Sequence, residues 1–252
     1  MTTEKRDEEE RAFFTSGKRV SKRDKQTPED NHSEEKNSII EEEFSKFVMT
    51  EEAAISDEGL KKHFVEYIEL ARRIKKRKKH VLKFMKHLHQ ETSFLTAPAS
   101  SHYHLNIRHG LLIHSINVTR TLLSLKGVLA PKIEDESCII VGLFHDVGKV
   151  GYPGQPYYIT DEKGNYTSNP GVRAMAIATR SLFLISRFIP LTPDEAQAIA
   201  YHDGLYVPEG VHVKNKECPL LLLTHYSDMW AAHILEYNIP DASDSCFVWW
   251  DE

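Results

Sequence analysis

Apolar positions along the chain recur at helical spacing from Ser56 onward and are sparse before Ile39-Ile40. Leu60, Phe64, Tyr67/Ile68, Ala71 and Ile74 lie three or four residues apart, which lays one apolar stripe along a helix. That helix is expected to run into a basic stretch, after which Val81, Leu82, Phe84, Met85 and Leu88 resume the pattern. Leu111, Ser115, Val118, Leu122 and Leu125 form a second seam that ends near Gly127. Ile139, Ile140, Leu143, Phe144 and Val147 form a third, with Gly148 as its expected stop. Thr192-Pro193-Asp194-Glu195 has the form of a capping box with proline at the first helical position, opening a helix that reaches His202. Residues 220–236 make the last helix, before Pro240. Between 148 and 171 the pattern yields to Gly, Pro and Tyr, and residues 157–167 predict a small hairpin. The expected fold is an all-α helical bundle with one small Gly/Pro/Tyr-rich loop or hairpin insertion.

Composition narrows the class. With 252 residues, 40% of them hydrophobic and 27% charged, the chain can build a real core and reads as a soluble globular protein. Its longest apolar run, Cys138-Ile139-Ile140-Val141-Gly142-Leu143-Phe144, is far short of the roughly 18–20 residues of a membrane span. The opening MTTEKRDEEER lacks the apolar segment of a signal peptide. Cys138, Cys218 and Cys246 have unrelated spacings, which disfavours a disulfide framework and a cysteine zinc site. A cytoplasmic location is expected (the host cytoplasm if the gene is phage-borne). Residues 1–50 hold 10 Lys/Arg and 13 Asp/Glu with few apolar residues, so 1–38 is expected to be a disordered charged tail. Seven of the eight residues 72–79 are basic; such a run attracts phosphates or forms the wet face of a surface helix. The overall charge of −5 gives no dominant nucleic-acid footprint.

The 14 histidines matter by placement. In Leu143-Phe144-His145-Asp146-Val147-Gly148-Lys149, adjacent residues would point about 100° apart on a regular helix. At a helix end running into glycine, His145 and Asp146 can converge on one ion. Imidazole with carboxylate suits Mn, Fe, Co, Ni or Zn better than Ca. His114 lies on the seam helix, and Asp228 is a carboxylate on an otherwise apolar helix, costly there unless paired. Three helices thus offer His114, His145, Asp146 and Asp228.

These residues resemble the HD-domain metal-dependent phosphohydrolases, whose signature is a histidine on one helix, a His-Asp doublet ending another and a distant aspartate. Gly-Leu-Leu-x-His-Ser at 110–115 and His-Asp-x-Gly-Lys at 145–149 agree with that family. Residues 181–206, with Ala-Ile-Ala-Tyr-His-Asp-Gly, resemble a bacterial and phage subgroup of it. The resemblance covers about 95–237. It implies an HD-type metal-binding domain over 95–240, preceded by a helical extension over 39–94 that packs on the core. A C-terminal segment over 241–252, with Trp249-Trp250, follows. It further implies hydrolysis of a phosphate ester, most simply a nucleotide, with a short nucleic acid as the other option and no membrane partner. Metal ligands would be His114, His145, Asp146 and Asp228, with His202 a fifth candidate. Ile177-Ala178-Thr179 stands where many relatives carry His-Gly-Glu, so one tightly bound divalent transition metal is expected rather than two, with Mg also admissible. Asp146 and Lys149 would be catalytic, and Lys149, Arg173, Arg180 and Tyr157 would bind substrate. Arg173, Arg180 and Arg187, spaced by seven, would form a guanidinium line, and Tyr152, Tyr157, Tyr158 and Tyr166 a stacking lid. His225 reads as a core or supporting histidine, and His102, His104 and His109 as structural residues near the site. The alternative is an inactive or weakly active HD scaffold that binds nucleotide, oligonucleotide or a partner protein.

Overall fold

The computed structural model describes residues 28–237, so most of the expected tail and the Trp249-Trp250 end lie outside the described residues. The fold is all-α with one two-stranded sheet. Helix α1 (Pro28–Ala54) begins inside the stretch expected to be disordered. Its polar and Glu-rich sequence shows little apolar periodicity, and among its described side chains, 37–54, only Phe44, Phe47 and Val48 are buried. Helix α2 (Glu58–Arg72) is capped by Asp57, whose Oδ1 accepts the Leu60 amide at 3.1 Å. Helix α3 (Lys78–Glu91) follows.

The continuous helix expected through the basic stretch is broken at 73–77, for an electrostatic reason. Oε2 of Glu136 accepts the Lys75 and Lys76 amides, each at 2.8 Å, drawing them out of any helical ladder. Arg77 donates from Nε to Glu136 Oε1 at 2.8 Å and forks onto Glu195 through Nη1 and Nη2 at 2.6 and 2.7 Å. Arg73 pairs with Asp135 and Lys76 with Glu134, both at 2.6 Å. The basic run is therefore clasped to the acidic start of the next core helix rather than laid out as one solvated face.

Helices α4 (Gly110–Leu129), α5 (Asp135–Phe144), α6 (Ile177–Ser186), α7 (Pro193–Tyr201) and α8 (Pro219–Trp230) form the bundle. Helix α4 packs on α5 and α8, and α7 packs on α6 and α8. The hairpin appears as β1 (Tyr158–Thr160) antiparallel to β2 (Tyr166–Ser168). The capping box is present in full: Thr192 Oγ1 accepts the Glu195 amide while Glu195 Oε2 accepts the Thr192 amide. Glu195 thus closes the cap and receives Arg77. One buried cluster contains Phe44, Phe64, Phe84, Phe144, Leu184 and Leu221, so the 39–94 extension and the following helices share a core. Among the described residues, no helix is long and apolar enough to cross a membrane.

Glu195 is fully buried and Glu136 nearly so, and the Arg77 guanidinium compensates both. Removing one member of such a pair leaves buried charge, so Arg77→Ala should cost about 3–5 kcal/mol in urea unfolding at neutral pH. Burial opposes ionisation of Glu136 and Glu195, yet Arg77 outweighs it and holds both below the ordinary 4.5. Their contribution is present above 4.5 and is lost as pH falls through the lowered folded values. The gap between wild type and Arg77→Ala should therefore narrow below about pH 4.5.

Candidate metal centre

The centre is built where α4 and α5 approach closely. A Cβ on Gly142 would lie 2.7 Å from Thr119 Cα, so glycine lets the two backbones meet there. This contact sets the His114 and His145 rings at 5.4 Å between centroids. Helix α4 is itself held at its start. His109 takes a left-handed φ of 70°, with its Nε2 3.1 Å from the α2 cap Asp57.

The break after α5 does what the doublet needs. Helix α5 ends at Phe144, Asp146 leaves helical geometry at φ −107° and ψ 10°, and a 3-10 turn covers Val147–Val150. His145 and Asp146 consequently converge instead of diverging. Gly148 acts differently from the expected helix stop: the left-handed glycine is Gly151, at φ 79°. Gly148 instead lies against α6, where a Cβ would meet the Ile177 carbonyl at 2.2 Å, and its amide donates to Ser181 Oγ at 2.8 Å.

His114, His145, Asp146 and His202 are buried, while Asp228 keeps slight exposure. Each imidazole is oriented from its outer nitrogen. His145 Nδ1 donates to the Gly142 carbonyl and His202 Nδ1 to the Ile199 carbonyl, both at 2.9 Å. His114 Nδ1 sits 3.0 Å from Glu236 Oε2. The Nε2 atoms are thereby turned inward: that of His145 is buried without a hydrogen bond, and that of His114 lies 3.1 Å from Asp228 Oδ1. Among the described residues four donor triads follow, each with ligand atoms within 4.8 Å of one another: His114, His145 and Asp228; His145, Asp146 and His202; His202, Asp203 and Asp228; and, on the outer side of His114, His104, His114 and Glu236. Inward nitrogens of fixed imidazoles beside buried carboxylates are a donor set that fits a metal ion, and this cluster could hold one.

The three rings differ electrostatically. Burial pushes His145 down to about 4, keeping it a neutral donor. Burial likewise opposes charge on His114, but Glu236 and Asp228 outweigh it and raise it to about 10. His202 is raised to about 9 against its burial by Asp146 and Asp203. Burial raises Asp203, with Asp146 and Asp228 adding to the effect. Burial opposes charge on Asp146 and Asp228, but Lys149 beside the first and His114 beside the second hold both below the ordinary carboxylate value.

Lys149 forms an ion pair with Asp146 Oδ2. Burial disfavours its charge, and Asp146 more than restores it. A cavity of about 210 Å³ opens onto Asp146, Lys149, Asp203 and Asp228. Tyr158 borders these groups; burial raises its hydroxyl to about 12.

Not every expected residue arrives. Arg180 is buried, with Nη1 donating to the Gly148 carbonyl at 2.8 Å and Nη2 to the Met175 carbonyl at 3.0 Å. It pins the turn behind the His-Asp doublet, and Tyr157 covers its guanidinium at 4.7 Å. Arg173 is exposed in the loop before α6, and Arg187 follows the end of that helix, so no guanidinium line forms. A helix only ten residues long cannot carry three arginines at this spacing. His225 supports the centre through Nδ1, 2.6 Å from the His202 carbonyl. Neither Asp203 nor Glu236 was singled out from the sequence, while His104, expected near the site, stands 3.7 Å from Glu236 Oε2. Asp203 had a signal in the second His-Asp doublet, at 202–203. Glu236 had none, because a π-helical turn over Ala231–Leu235 places it. On an unbroken α-helix it would lie roughly 80° around the axis from Asp228. The wider turn, closed by the Glu236 amide on the Ala231 carbonyl at 3.0 Å, brings it onto His114.

Comparison with protein-family models, curated proteins and solved structures finds no match for this chain.

Glu236 is also held by Asn117, whose Nδ2 donates to Oε1 at 3.0 Å. An amide in its place cannot anchor His114 as a carboxylate does. Glu236→Gln should weaken metal binding about 10- to 100-fold, read by competition with a chromogenic chelator. Unchanged affinity would mean that the His114 ring is fixed by packing alone.

Proposed function

We propose that this protein is a divalent-metal-dependent phosphohydrolase of the HD type that its motifs resemble, acting on a nucleotide. The observation that carries the reading is the set of three inward-facing imidazole nitrogens, from His114, His145 and His202, beside Asp146 and Asp228, with Lys149 at the cavity wall. Nitrogen and carboxylate donors together favour Mn, Fe, Co, Ni or Zn. The overlapping triads offer more seats than the single ion expected from sequence, and Asp203 is the residue that adds one. When bound, such an ion lowers the pKa of water towards neutrality and neutralises phosphoryl oxygens.

The chain's own residues supply the rest. Asp146 faces Lys149 on one side and the His202 Nε2, 3.6 Å away, on the other, so its two oxygens are held in fixed directions. Lys149 is positioned to offset charge developing on a phosphoryl oxygen in the transition state. Asp203 lines the same cavity and stands beside His202 and Asp228. The clasped state of the basic run at 73–77 favours a small nucleotide over an oligonucleotide, because Arg73, Lys76 and Arg77 are already paired with carboxylates.

Protein purified without chelator should contain at least one equivalent of transition metal and hydrolyse a member of a nucleotide panel with Mn, Co or Ni. Asp146→Ala should abolish turnover, but it also strips buried Lys149 of its partner. Asp146→Asn, which keeps the volume, should lose at least about 100-fold in kcat with an unchanged far-ultraviolet circular dichroism spectrum. Full activity in Asp146→Asn would refute the site assignment. Metal uptake without turnover on any nucleotide would favour the binding-scaffold alternative.

A further inference from the structure

Beside the 210 Å³ cavity lies a larger one of about 700 Å³, walled by residues 102–107 on one side of the sequence and 232–237 on the other. The two share His104, Tyr206, Ala232 and His233 as walls, so they are adjoining compartments. Ligand pockets usually span about 300–1,000 Å³; the smaller compartment falls below that range and the larger within it. The division suits a phosphoryl group in the first and an organic moiety in the second.

The walls specify the moiety. Tyr103, Tyr206 and Tyr237 present exposed rings, together with His102, His104 and His233. Among the described residues, Glu236 is the sole carboxylate of the larger compartment, and both its oxygens are engaged, by His114 and Asn117. Among the described residues, no Lys or Arg lines it, and Lys149 is the single one lining the smaller compartment. Flat rings with no free charge suit a neutral heteroaromatic group, and one lysine suits one phosphoryl group rather than a polyphosphate.

The Tyr103 wall is also rigid. The Tyr103 amide donates to Ser100 Oγ at 2.7 Å, Ser100 Oγ donates to the His104 carbonyl at 3.0 Å, and the Ala99 amide donates to the Leu105 carbonyl at 3.1 Å. Leu105 is held at a left-handed φ of 45° with its side chain buried. Backbone strain of this kind persists where the surroundings over-determine it, often at ligand sites. The facing wall carries the π-helical turn, another feature frequent at such sites.

We propose that the larger compartment seats the nucleoside of a nucleoside monophosphate whose phosphate lies at the His/Asp centre. The inference rests on the phosphohydrolase reading for the phosphate end only; the nucleoside seat can be tested without turnover. The full chain is supplied with Mn and assayed on adenosine 5′-monophosphate, adenosine 5′-triphosphate and glycerol 2-phosphate, while binding of adenosine alone is followed by calorimetry. The monophosphate should be preferred to both other esters. Tyr103→Ala, at a side chain 85% exposed, should cut kcat/KM for the monophosphate about tenfold, mainly through KM. The loss for glycerol 2-phosphate should be several-fold smaller, adenosine affinity should fall in parallel, and Tyr103→Phe should restore both. If Tyr103→Ala and Tyr237→Ala treat the monophosphate and adenosine as wild type does, the seat is refuted although hydrolysis stands. A preference for the triphosphate would overturn the single-phosphoryl assignment. If no ester is cleaved but adenosine binds in a Tyr103-dependent way, the seat stands and the hydrolase reading fails. Absence of both turnover and adenosine binding refutes both.

Discussion

Charge buried at the meeting point of apolar helices is the constraint on which this structure turns. His114, His145 and His202 are almost wholly inside, and so are Asp146 and Glu236. An isolated ion in such a place would neutralise or unfold its surroundings. Here each group is answered by another: Glu236 by His114 and Asn117, Asp146 by Lys149, and the outer nitrogens of His145 and His202 by backbone carbonyls. What faces inward is the unbonded Nε2 of His145, beside groups of imidazole and carboxylate donors that could hold a metal ion. Stability and chemistry therefore have the same source, since the pattern that tolerates buried charge also prepares a seat for a cation.

A second charge system does structural work at a distance. Arg77 joins α5 to the cap of α7 through Glu136 and Glu195. Because α5 delivers His145 and α7 delivers His202, the clasp helps fix the spacing of two donors without touching the centre. The same logic explains Arg180, which holds the turn at Gly148 instead of reaching a ligand. In both cases a buried guanidinium serves backbone geometry, consistent with its several fixed donors and permanent charge.

The helical class, the hairpin, the Thr192-Glu195 cap and the four motif residues were legible in the sequence because each is a local signal. Periodicity reports a buried face, a capping box reports a helix start, and a His-Asp doublet before glycine reports a helix end with two potential donors. The first part of helix α1, residues 28–38, was missed because its helical character comes from residue propensity without an apolar stripe. The break at 73–77 was missed because its cause is Glu136, about sixty residues away along the chain. The arginine spacing misled, since seven-residue recurrence means one face only inside a helix, and only Arg180 of the three lies within α6.

By itself, then, the sequence determined that apolar faces would pack as helices and that His114, His145, Asp146 and Asp228 would fall where those helices end or cross. Only the tertiary structure decided which groups turn them inward. Glu236 reaches His114 because a π turn rotates it there, and Asp203 joins because α7 ends beside α8. The physical reason is that hydrophobic periodicity fixes which face is buried, whereas ring orientation depends on hydrogen bonds between residues far apart in the chain. Those bonds become readable only once the helices are in contact.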